Sequence, residues 1–132
     1  MHDNQYQAIN PFVLYGALGE DLESFRSLSR TFLVSAPPMF VRLKEAMLSA
    51  QRKAISYESH SLKGTMALVG ATQMTALLND IEELSLRDEP GRTAPTIDEL
   101  TPLFETVVQE VQDSIVHFHG EVGRNGVPLD QA

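Results

Sequence analysis

The sequence predicts an all-α chain: an up-down four-helix bundle with a short extra N-terminal helix. Three observations predict it. Apolar residues recur at helical spacing along most of the chain. No period-2 apolar alternation runs long enough to make a sheet. Four substantial amphipathic segments are joined by short connections, which is the pattern of a bundle. The chain has 132 residues and is 42% hydrophobic, enough for one core in one domain. That domain is assigned to residues 1–132, with the bundle at about 10–118 and a loose tail at 119–132.

Each element has its own signals. Asn10-Pro11 caps and starts a short helix over 11–17, with proline at the first helical position. Gly19 breaks it. A second helix runs from about Asp21 to Ser35, with a stripe of Leu22, Phe25, Leu28, Phe32 and Leu33. Pro37-Pro38 then starts a new helix or kinks the old one. Met39, Phe40, Leu43, Met47 and Leu48 continue the pattern to about Ala50. The next helix spans about Arg52 to Val69 and ends at Gly70. Another, about Thr72 to Leu86, buries Met74, Leu77, Leu78, Ile81 and Leu84. Residues 87–95 form the one clear loop. Thr96 and Glu99 make a capping box for a last helix that reaches about Phe118. Its inner side carries Leu100, Leu103, Phe104, Val107, Val108, Val111 and Ile115.

Composition excludes several classes. There is no cysteine, so disulfide and thiolate chemistry are out. No apolar stretch approaches the ~20 residues of a membrane span. The N-terminus has no basic region followed by an apolar one, so no signal peptide is expected. A cytoplasmic location and a free-standing chain are the simplest expectations. Net charge is −8, which argues against nucleic-acid binding. The charge is uneven: −4 over residues 1–25, +5 over 26–63, and −9 over 64–132. The basic stretch is either a run of solvated Lys and Arg or a docking surface for an acidic partner.

That stretch ends on the string His60-Ser61-Leu62-Lys63-Gly64. With Leu62 at 0° and about 100° per residue, Ile55, Met66 and Val69 fall within about 40° of it, on one core stripe. On the same scale His60 falls at about 160°, Gly64 at about −160°, Ala67 at about 140° and Lys63 at about 100°. The histidine thus faces away from the core. A mid-helix glycine costs about 0.5–1 kcal/mol relative to alanine. Its missing side chain clears space beside the imidazole for a tetrahedral phosphoryl group. Lys63 supplies a cation for phosphoryl oxygens. An imidazole, with its ordinary pKa of about 6.5, is a competent nucleophile near neutrality.

These residues, with Val69-Gly70-Ala71, resemble the His-x-Leu-Lys-Gly…Gly-Ala signature of the histidine-containing phosphotransfer (HPt) domain family. The resemblance covers roughly residues 10–118. Met74, Leu77, Ile81 and Glu82 are similar to that family's helix after the motif. It implies a four-helix bundle with no ATP site and no cofactor of its own. His60 would take phosphate from a receiver-domain aspartate of a hybrid sensor kinase and pass it to a downstream response regulator. Lys63 would stabilise the phosphoryl group and Gly64 would give clearance. The Mg ion would sit on the partner receiver. Two positions depart from the pattern. The residue before the histidine is often Ala and is Ser59 here. Position 58 is often small or aliphatic; Glu58 projects at about −40°, at the edge of the core stripe, so its carboxylate needs solvent or a partner. A second reading is the phosphoacceptor domain of a chemotaxis-type histidine kinase. A third is a non-catalytic helical module that binds a kinase or receiver.

Other candidates are weaker. Tyr57, at about −140°, lies one turn before His60 on the open face. Tyr57, Ala67, Arg52 and Lys53 are read as partner-docking residues. His117 and His119 point about 200° apart on a helix, so no metal site is expected there. Asp80, Glu82, Glu83, Asp88 and Glu89 read as a solvated acidic helix end.

Overall fold

The computed structural model describes residues 5–87 and 94–120. Among these the chain forms five helices and no strand: α1 (Pro11–Ala17), α2 (Leu22–Leu48), α3 (Arg52–Leu68), α4 (Thr72–Ser85) and α5 (Ile97–His117). α2 to α5 make the up-down bundle. α3 packs against both α2 and α4, and α5 closes the bundle against α2 and α4.

Local chemistry sets the ends. Asn10 accepts a hydrogen bond from the Phe12 N–H at 3.1 Å, and Pro11 begins α1. Asp21 caps α2 through the Ser24 N–H. Thr96 and Glu99 complete the expected capping box of α5. The α3–α4 turn closes on Gly70, whose φ of +68° is a left-handed conformation. A Cβ there would stand 2.7 Å from the Asn10 carbonyl oxygen, so the turn and the N-terminal segment meet at bare backbone. The Asn10 N–H donates to the Val69 carbonyl at 3.0 Å in the same place.

Of the two readings of Pro37-Pro38, a new helix or a continuing one bent at the prolines, the first is corrected. Pro37-Pro38 does not begin a new helix; both lie inside α2, which runs unbroken for 27 residues. Two missing N–H donors cost several kcal/mol in principle. Phe32, Ala36, Phe40, Leu43 and Ala46 offset that cost by burying one continuous face across the prolines. Helix ends elsewhere differ from expectation by a residue or two: α3 stops at Leu68 and α4 at Ser85.

The main core runs the length of the bundle. Leu43, Leu62, Met66, Met74, Leu78, Leu100 and Val107 have no exposed surface in it. Phe40 and Phe104 stack at 4.3 Å across α2 and α5. A smaller cluster of Leu14, Tyr15, Phe25 and Phe118 seals one end. Phe118 lies 4.8 Å from Phe25 and 5.4 Å from Tyr15, ring centre to ring centre. Carboxylates of α5 tie down the N-terminal segment, and Asp113 accepts the Tyr6 hydroxyl at 2.9 Å. Glu110 accepts the backbone N–H groups of Gln7, Ala8 and Ile9 at 2.8–3.2 Å. Tyr6, Ala8 and Ile9 are buried as a result. Residues 88–93 of the expected loop and residues 121–132 of the expected tail lie outside the described residues. Gly120, with φ +84°, packs its backbone on Tyr15.

Candidate functional site

α3 carries the histidine, and its two faces divide as the spacing predicts. Leu62 and Met66 are fully buried and Val69 nearly so; Ile55 is partly buried. The His60 side chain is 69% exposed. Gly64 opens onto space: a Cβ built there meets nothing within 4 Å. Tyr57 is 69% exposed, and Ala67 is exposed on the same side.

The two departures at positions 58 and 59 have physical answers. Ser59 is fully buried, and its hydroxyl donates to the Ile55 carbonyl at 2.6 Å. That bond within the helix satisfies the only polar group an alanine would lack. Glu58 pairs with Arg42 on α2 at 3.4 Å, with 16% of the Glu58 side chain exposed.

A carboxylate from α4 completes the site. Glu82 Oε2 lies 2.8 Å from His60 Nδ1, and Glu82 Oε1 lies 2.7 Å from Lys63 Nζ. Oε1 is shut off from solvent and faces the ammonium alone. The Lys63 ammonium, and secondarily the contact with His60, hold the Glu82 carboxyl below its usual range; partial burial pushes the other way. Glu82 had read as part of a solvated helix end, and that reading is corrected. It is joined to His60 by tertiary packing of α4 on α3, which no helical period announces. The one sequence signal was its place in the helix after the motif.

An ionised Glu82 fixes the imidazole. It accepts from Nδ1–H, so the lone pair is on Nε2. Nε2 is the ring nitrogen that Glu82 leaves uncontacted, on a side chain 69% exposed. The arrangement is an exposed imidazole whose Nδ1 is braced by an anion, with a lysine alongside that anion, and such a ring can act as a nucleophile through Nε2.

The other candidates are placed as follows. Lys53, Tyr57, His60, Glu82 and Leu86 line one open groove. Arg52 Nε donates to the Ser85 carbonyl at 2.8 Å, tying the start of α3 to the end of α4. Arg26 is likewise engaged, with the Ile115 carbonyl at 3.2 Å. So part of the basic stretch braces the bundle itself. His117 sits 3.6 Å from Asp113 on its own helix. Among the described residues no three groups are placed to hold a metal ion. Nor is any described helix long and apolar enough to cross a membrane.

The bundle and its exposed histidine define a class that the comparisons make explicit. A family model, the Hpt domain, matches residues 27–114. The chain belongs to the Hpt domain family, whose members take part in histidine phosphotransfer in two-component phosphorelays. Its fold is similar to the crystal structure of histidine-containing phosphotransfer protein B (HptB) from Pseudomonas aeruginosa PAO1. The TM-score is 0.71 at 20% identity, over 85% of this chain and 97% of that one. At that identity the likeness is one of fold. A search of curated proteins gives no match.

Proposed function

We propose that His60 is the phosphoacceptor and that the chain shuttles a phosphoryl group between receiver-domain aspartates. The donor is the receiver domain of a hybrid sensor kinase and the acceptor is a downstream response regulator. The observation that carries this reading is the 2.8 Å contact of Glu82 with His60 Nδ1 on an otherwise exposed ring.

The chemistry follows from that contact. Nε2 attacks the phosphorus of an aspartyl phosphate. An N–P bond forms, the acyl phosphate P–O bond breaks, and the aspartate leaves as a carboxylate. No proton has to leave Nε2. The ring instead gains positive charge, which the Glu82 carboxylate faces and stabilises. Lys63 balances the anionic phosphoryl oxygens. Gly64 leaves room for the phosphoryl group and for the receiver surface that brings it. Mg²⁺ is held by the receiver. Lys53 and Tyr57, which share the histidine's groove, and Ala67 and Arg52 on the same helix serve as docking contacts, Arg52 also through its brace on α4.

Phosphotransfer from a set of phosphorylated receivers tests the reading. Wild type should acquire an acid-labile, base-stable phosphate, and His60→Gln should acquire none. Equal labelling of the two would sink it. Phosphorylation by a kinase domain with ATP, but not by any phosphorylated receiver, would favour a chemotaxis-type role instead.

A further inference from the structure

The imidazole and the ammonium, three residues apart on α3, do not share a groove. His60 lines the groove with Lys53, Tyr57 and Leu86. Lys63 lines a different one with Val13, Ala67, Thr75, Ala76 and Asn79. Glu82 stands between them, one oxygen toward each. The Lys63 side chain is only 24% exposed, and its second contact is the Asn79 Oδ1 at 3.0 Å. Asn79 is itself oriented: its Nδ2 donates to Glu83 Oε2 at 3.2 Å, one turn further along α4. That bond turns the amide oxygen toward the lysine.

We infer that Asn79 is a positioning residue that parks Lys63 away from the phosphoryl site and so sets how readily its charge becomes available. The inference rests on the phosphotransfer reading of His60. In the unmodified protein the ammonium has two acceptors, Glu82 and Asn79. To meet a phosphoryl group on His60 it gives up the neutral acceptor, Asn79, which lines the lysine's own groove and not the histidine's. The bond to Asn79 is charge-assisted, because its donor is an ammonium, and giving it up slows the release of the lysine. The residue at position 79 therefore tunes the reaction through Lys63 without touching the reacting atoms.

The test is a set of substitutions in the full chain. Asn79→Leu removes the acceptor at similar size and should speed acceptance from a phosphorylated receiver by about fivefold. Asn79→Asp, made together with Glu83→Gln so that the new carboxylate faces a donor, strengthens the seat and should slow acceptance by about tenfold or more relative to Glu83→Gln alone. Both effects should vanish in a Lys63→Met background, which a merely structural role for Asn79 would not produce. Effects of the same sign for Leu and Asp, or effects that persist with Lys63→Met, would overturn the inference. Nitrogen-15 NMR of the Lys63 ammonium reads the seat without any phosphate. Its order should fall in Asn79→Leu and rise in Asn79→Asp made with Glu83→Gln. An ammonium equally mobile in wild type and Asn79→Leu overturns the inference alone; a wild-type chain with an ordered ammonium that takes no phosphate fails the phosphotransfer reading first.

Discussion

Glu82 on α4 reaches across to His60 on α3, oxygen to Nδ1, at 2.8 Å. With the carboxylate accepting from Nδ1–H, this contact leaves Nε2 as the nitrogen with the free lone pair. Glu82→Ala removes a charge-assisted hydrogen bond worth about 1.5–3 kcal/mol, so phosphate acceptance should slow by about 10- to 100-fold. Glu82→Gln can still accept from Nδ1–H and should fall between the two. Single-turnover transfer from one phosphorylated receiver measures both. Equal rates in wild type and Glu82→Ala would remove the anion from the mechanism.

Gly64 separates stability from function. Its place in the helix is exposed and unobstructed. Gly64→Ala should therefore stabilise the fold by about 0.5–1 kcal/mol. Gly64→Leu should also fold, yet accept phosphate at least about tenfold more slowly, because a misplacement of ~1 Å at the reacting centre is costly. Denaturant midpoints and transfer rates, taken on the same samples, check the two directions.

Gly70 is the opposite case. Its left-handed backbone and its close approach to Asn10 both demand glycine. Gly70→Ala should cost at least about 1–2 kcal/mol from backbone strain, and the clash adds to that. Urea denaturation would show a lower midpoint. The damage should extend to the seating of α1, seen as loss of chemical-shift dispersion around Phe12 and Leu14.

Two ionisable groups give stability opposite dependences on pH. Burial, helped by the hydrogen bond to Asp113, pushes the Tyr6 phenol up from 10.0 to about 12, against a lowering contact from Gln5. Its contribution is full below the unfolded value and is lost as pH rises through about 12. Glu82 is held low, so its contribution is full above the usual carboxylate range and is lost as pH falls. Tyr6→Phe should flatten the alkaline limb of the stability profile and Glu82→Gln the acid limb. An unchanged slope in either variant would contradict the corresponding assignment.

The sequence was legible where one helix decides the answer. The outward aim of His60 and the inward stripe of Leu62 and Met66 follow from the helical period alone, as do the caps at Asn10 and Thr96. It was not legible where two helices decide. Glu82 meets His60 only because α4 folds back on α3 after Gly70. Glu58 finds Arg42 sixteen residues earlier because α2 and α3 run antiparallel. Arg52 bonds the end of α4, a contact between two helices that its place in the basic stretch does not announce. Pro37-Pro38 left two readings open for a different reason. Local chemistry there says break, while the buried face from Phe32 to Leu43 says continue, and the larger sum of burial prevails.

Those prolines have a consequence for how the bundle opens. Without N–H groups at 37 and 38, the carbonyls of Leu33 and Val34 lack their helical donors. Two adjacent rungs of the ladder are gone from the middle of α2. The half before them is bound to α1 and the end of α5 through Phe25 and Arg26. The half after them is bound to α3 through Arg42 and Met39, and to Phe104 through Phe40. In native-state hydrogen exchange α2 should therefore behave as two units with separate opening free energies. The portion beside the histidine helix can then stay shut while the aromatic end breathes.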